Sequence, residues 1–167
     1  MFQEEAMIIS PFGEIDPKNI EEYYDGNVRI GEKDIEIDLN FESEPVSETL
    51  LAAVGNAIAQ IKELADLAWA AVSDDWDLDV ESETARFYLQ HHLEEFCEDE
   101  VVKLFGTTVI DKTIFIRALS LVRIGLYPED EDMFAVFDIQ LSQELTNYLM
   151  SVSLTQSGQV TGISFES

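Results

Sequence analysis

The chain has 167 residues and a mass of 18.9 kDa, and its 35 Asp and Glu against 9 Lys and Arg give a formal net charge of −26. A chain of this size buries roughly 70% of its unfolded surface, and 46% hydrophobic residues suffice for one core without metal or disulfide staples, which argues against intrinsic disorder. So negative a field repels phosphates and anionic headgroups, so neither nucleic acid nor a membrane surface is expected as a partner, whereas a basic protein is.

The opening Met1-Phe-Gln-Glu-Glu lacks a basic region leading into an apolar one, and the single Cys97 cannot pair within the chain. Both fit a cytoplasmic protein. The apolar stretch Leu50 to Val72 carries Asn56, Gln60, Lys62, Glu63 and Asp66, costly groups at membrane depth, and reads as a core helix. Residues 1–100 hold 27 acids and 5 bases, net −22, while residues 101–167 are net −4. No Pro-, Gly- or Ser-rich linker separates these parts, so residues 1–167 form one domain with a strongly acidic N-terminal part, 1–100.

Ala6 to Ile9 reads as a strand stopped by Ser10-Pro11-Phe12-Gly13, and Asp16-Pro17 as the cap and first position of a short helix over Lys18 to Tyr24. Val28 and Ile30, followed by Ile35, Ile37, Leu39 and Phe41 alternating with Glu36, Asp38, Asn40 and Glu42, predict a hairpin turning at Gly31-Glu-Lys-Asp. From Ser47 the period lengthens to three and four through Val54, Ile58, Ile61, Ala65, Ala68 and Val72, the mark of an enclosed helix. The acidic stretch Asp74 to Glu83 ends it, and a second helix with Ser82 as cap is predicted from about Glu83 to Glu98. Asp111 to Arg117 reads equally as helix or strand. Ala118 to Leu126, Phe134 to Leu141, Tyr148 to Leu154 and Val160 to Phe165 are strand-length runs with short connections, which implies antiparallel neighbours. The expected fold is α+β, an antiparallel sheet of hairpins and a C-terminal meander packed against two central α-helices.

Several strings, namely Pro11-Phe12-Gly13 with Ile15, Tyr23-Tyr24, Ile35 to Phe41, Arg123-Ile-Gly-Leu-Tyr-Pro128 and Gly158 to Ser167, give the chain a resemblance to a family. Along nearly its whole length it is similar to a bacterial domain of unknown function, number two-thousand-and-four in that series. The resemblance implies a cytoplasmic α+β protein and brings no reaction, cofactor or catalytic residue. Related small acidic families include many that look like immunity proteins beside toxins.

The sharpest local cluster is His91-His92-Leu-Glu94-Glu95-Phe-Cys97-Glu98. On one helix His91, Glu95 and Glu98 fall at i, i+4 and i+7, and an imidazole with carboxylates suits zinc or iron, though a further ligand must come from another element. His92 falls in the apolar line and is expected to hydrogen-bond a neighbouring strand or loop, and Cys97 is expected to be buried and inert. Asp75-Trp-Asp77-Leu-Asp79-Val-Glu81 resembles the first half of a calcium loop, but Val80 and Arg86 stand where glycine and a bidentate glutamate are needed. As an extended segment it would put Asp75, Asp77, Asp79 and Glu81 on one side and Trp76, Leu78 and Val80 on the other, either as an edge or loop anchored by Trp76 or as a binding surface in which Trp76 is an exposed aromatic anchor for a basic partner. No catalytic residue, metal or cofactor is expected. The leading functional reading is a non-catalytic, immunity-like binding module for a basic protein; the alternative is a metal-dependent enzyme using the His91/Glu95/Glu98 face.

Overall fold

The computed structural model describes residues 5–43, 45–78 and 83–167. A small antiparallel pair, β1 (Met7–Ile9) and β2 (Gly13–Ile15), precedes the hairpin of β3 (Tyr23–Ile30) and β4 (Lys33–Asn40). Among the described residues five helices follow: α1 (Glu48–Ala59), α2 (Ile61–Asp77), α3 (Ala85–Glu95), α4 (Glu98–Phe105) and α5 (Lys112–Ala118). The chain then completes the sheet with β5 (Ser120–Leu126), β6 (Ala135–Gln140), β7 (Leu149–Leu154) and β8 (Val160–Glu166). The six-stranded sheet runs in the order β3-β4-β5-β6-β7-β8, and the fold is α+β as expected.

Every pairing in that sheet is antiparallel except β4 with β5, which is parallel. This corrects the all-antiparallel expectation. A parallel pair needs a long crossover, and all five helices lie between β4 and β5 in the chain. Period-2 alternation sorts the strands: Ile35, Ile37, Leu39, Ile124, Leu126, Phe137, Ile139, Met150, Val152 and Leu154 are buried on one face. Leu51, Val54, Leu64, Ala68 and Val72 of α1 and α2 belong to the same core.

Local details depart from the sequence reading where longer-range contacts win. Lys18 to Tyr24 is not a helix. Asp16 accepts from Lys18 N–H at 3.0 Å and from Asn19 N–H at 3.0 Å in a single turn, and Tyr23 is already paired with Asn40. The long helix bends at Gln60 (φ −108°, ψ 20°) and runs on through Asp77, because Val72, Asp75 and Trp76 continue its buried stripe. The second predicted helix divides at Phe96, which is extended, and α4 restarts at Cys97, whose N–H is accepted by Glu100 at 3.1 Å. Ser82 lies outside the described residues. The ambiguous segment is helix α5, capped by the Asp111 carboxylate accepting from Ile114 N–H at 2.8 Å.

Candidate functional site

The other face of the sheet carries the polar alternates. Tyr23, Asp25, Asn27 and Arg29 of β3 and Asp34 and Glu36 of β4 are exposed there. Beside them Asp38 and Asp138 are buried, at 4% and 6% exposure, and strand pairing explains how: Arg123 stands between β4 and β6 in register with Glu36 and Asp138. Its guanidinium donates from Nε to Asp38 Oδ2 at 2.6 Å and from Nη2 to Asp38 Oδ1 at 2.8 Å, a two-point grip. Nη1 donates to Asp138 Oδ2 at 3.1 Å and Nη2 to the Tyr127 hydroxyl at 2.9 Å.

Each carboxylate has a further donor. Asn40 Nδ2 donates to Asp38 Oδ1 at 2.6 Å, and Ser151 Oγ to Asp138 Oδ1 at 2.6 Å. Burial alone would lower the Arg123 pKa, but the hydrogen bonds to Asp38, Tyr127 and Asp138 outweigh it and raise it, so the guanidinium stays charged. Gly125 makes the room: a Cβ there would stand 2.8 Å from Arg123 Nη2 and 2.9 Å from the Tyr127 ring. Two carboxylates against one guanidinium leave the cluster with a net charge of about −1, and Asp25 and Glu36 add to it.

Tyr23, 55% exposed, sits at the rim of this cluster. Desolvation, then the charges of Asp38 and Asp25, push its phenol pKa up, with Arg123 opposing. An aromatic ring among carboxylates is a receptor for a cationic side chain, which gains both the ring face and the charge. At the neighbouring end of β4 the Glu129 carboxylate accepts from Glu42 N–H at 3.0 Å and Ser43 N–H at 3.1 Å, fixing the loop that leaves the strand.

The residues expected to form a partner surface behave differently. Asp75, Trp76 and Asp77 are helical, at the end of α2, so the alternating arrangement is corrected, and Asp79 and Glu81 lie outside the described residues. Trp76 is 8% exposed, stacks on Phe115 with ring centroids 5.1 Å apart and has the Arg86 guanidinium over its ring at 4.6 Å. It anchors the core. Asp75 is buried and accepts from Ala85 N–H at 2.7 Å at the start of α3, while exposed Asp77 holds Lys112 Nζ at 2.7 and 2.8 Å. These carboxylates join helices.

His91 and Glu95 do come together, Nε2 to Oε1 at 3.6 Å, beyond hydrogen-bonding reach, and the buried His91 Nε2 has no hydrogen-bond partner among the described residues. Glu98 belongs to the next helix, so the predicted three-ligand face is broken at Phe96. Among the described residues no three His, Cys, Asp or Glu side chains are grouped to hold a metal ion. His92 is fully buried, as its place in the apolar line predicts. Its Nδ1 must donate to the Tyr88 carbonyl at 2.7 Å, so its Nε2 accepts from the Thr146 hydroxyl at 2.8 Å in the neutral ring. Tyr88, its hydroxyl pKa pushed up to about 12 by burial, donates to the Tyr148 carbonyl at 2.7 Å and accepts from Leu141 N–H at 3.1 Å. Cys97 is exposed, not buried as its position beside the apolar line suggested, because the helix ends before it.

Sequence reasoning did not single out Arg123, Asp38, Asp138 or Tyr127 as a cluster. A lone arginine at the polar parity of a strand in a chain this acidic was the available signal, since it must find carboxylates on its neighbours. No protein-family model, no curated protein and no solved structure matches this chain. The family resemblance therefore rests on the strings quoted above. Among the described residues no helix is long and apolar enough to cross a membrane.

Proposed function

We propose that this chain is a non-catalytic binding protein for a basic protein partner, which docks on the exposed sheet face at β3 and β4. The observation that carries this reading is Tyr23, an exposed ring at the rim of Asp25, Glu36 and the anchored Asp38–Arg123–Asp138 cluster. A rigid aromatic beside fixed charges loses little freedom on binding and can serve as an energetic centre. The surrounding acids steer a basic partner toward it.

The specific form we favour is an immunity-type role in the cytoplasm, in which the acidic face covers a basic toxin domain and keeps it inactive. The single cysteine suits a reducing compartment. The test is capture of the partner from the source cell, then equilibrium titration with two double variants. Asp25→Asn/Glu36→Gln together should weaken binding about tenfold or more, and Asp75→Asn/Asp77→Asn should not do so in protein that remains folded. The reverse ranking, or a captured partner that is not basic, would overturn the reading.

A further inference from the structure

The two terminal strands of the sheet, β3 and β8, differ in how their outer edges are protected. On β8 the pairing with β7 shifts register between Ser153 and Leu154, and the Ile163 carbonyl already accepts from the Thr84 hydroxyl at 3.4 Å. β3 has no such interruption. Its eight residues pair with β4 in one unbroken register, and its sequence Tyr-Tyr-Asp-Gly-Asn-Val-Arg-Ile holds neither proline nor lysine, the usual guards of an exposed edge.

The turn fixes which backbone groups face outward. Gly31, at φ 62°, opens a two-residue connection between Ile30 and Lys33, so Ile30 and Lys33 form the first hydrogen-bonded pair of the hairpin. Pairs then alternate, and Val28, Gly26 and Tyr24 bond to β4 while Arg29, Asn27, Asp25 and Tyr23 turn their N–H and C=O groups away from it. Among the described residues nothing outside the hairpin hydrogen-bonds to the backbone of these four. The same residues carry their side chains on the exposed polar face.

This row is complementary to itself. We infer that two copies of the chain associate by antiparallel pairing of their β3 edges about a two-fold axis at Asn27, which sets Asp25 of each copy opposite Arg29 of the other. Asn27 then faces its own counterpart, and about six ladder hydrogen bonds form across the three residue pairs. An antiparallel two-fold pairing puts both exposed faces on the same side, so one continuous sheet carries two Tyr23 rings. Arg29 can turn to the contact, since its internal partners are weak ones, the Glu32 carbonyl at 3.3 Å from Nη2 and Asp34 at 3.6 Å, and the Arg29 and Asp34 side chains are both more than 60% exposed. Opposite charges directly across an antiparallel pair favour this register, and a one-residue slip would turn Asp25 and Arg29 to opposite faces.

Net charge works against the pairing and supplies a signature. Two chains of −26 repel over a Debye length of about 30 Å at 0.01 M salt, but only about 8 Å at 0.15 M. The dimer should therefore strengthen as salt rises from 0.01 to 0.15 M, the opposite of binding to a basic partner, so this inference and the proposed function fail independently. The experiment is sedimentation equilibrium of the full chain from 10 μM to 1 mM at both salt concentrations. A dimer of the 18.9 kDa chain is expected. Arg29→Asp should weaken it about tenfold, and Asp25→Arg/Arg29→Asp should restore it. Asn27→Pro, which removes an outward N–H and leaves the β4 ladder intact, should abolish it in protein shown to be folded by circular dichroism. A monomer at every concentration, a dimer that Arg29→Asp leaves unweakened, or one that the double exchange fails to restore, would overturn the inference.

Discussion

Arg123 grips Asp38 through two nitrogens, at 2.6 and 2.8 Å, across β4 and β5, the one parallel pair in the six-stranded sheet. The residues are 85 positions apart in sequence, with all five helices between them. The contact therefore reports that the crossover has closed, and with Asp138 it ties β4, β5 and β6 together on the polar face.

Removing Arg123 should cost more than a surface ion pair. Asp38 and Asp138 are buried, and without the guanidinium two carboxylates would remain there uncompensated, a change worth about 3–5 kcal/mol. Arg123→Met is expected to lower the urea midpoint accordingly, whereas Arg29→Ala, whose partner is exposed, should shift stability by about 1 kcal/mol or less. Gly125→Ala should cost about 1–3 kcal/mol, because its methyl would enter the space of the Arg123 guanidinium and the Tyr127 ring.

Trp76→Ala distinguishes a core anchor from an interface residue. The ring lies between Phe115 and Arg86 and is 8% exposed, so its loss should cost about 3–5 kcal/mol of stability in the free protein. Thermal unfolding with no partner present measures this, and an unchanged midpoint would contradict the placement.

His92 should make stability depend on pH. Desolvation holds its pKa below the usual 6.5, with the bond to the Tyr88 carbonyl opposing and the His91 charge assisting. The unfolded chain then binds the proton more readily than the folded one. Stability from this group is fully present above about pH 6.5 and is lost as pH falls toward the lowered folded pKa. His91 and Glu95 face the same region, so the informative quantity is the difference between the native chain and His92→Gln: the variant should show a flatter slope of stability against pH between about 5 and 7.

Local pattern carried much of this architecture. The alternation from Ile35 to Asn40 located β4 and its polar face, and four apolar runs located β5 to β8, because parity and turn chemistry are written in neighbouring residues. Partner choice is not written there. Nothing local to Ile37 or Ile124 tells that their strands lie side by side and parallel. Asp138 sits inside the strand-length run Phe134 to Leu141, where nothing local distinguishes it, and its role emerges only with Arg123 opposite. Trp76 misled for a related reason: acids on either side suggested a solvent-facing segment, while Asp75 and Asp77 are tied to Ala85 and Lys112.

Steering of a basic partner to Tyr23 and the acids around it is the step on which the proposed function depends. Its most direct measurement is the association rate of the captured partner with the native chain and with Tyr23→Ala, followed by stopped-flow across salt concentrations. The native rate should fall steeply as salt rises, and the Tyr23→Ala complex should form at a similar rate but dissociate at least about tenfold faster. An association rate indifferent to salt, with dissociation unchanged by Tyr23→Ala, would contradict the proposed function.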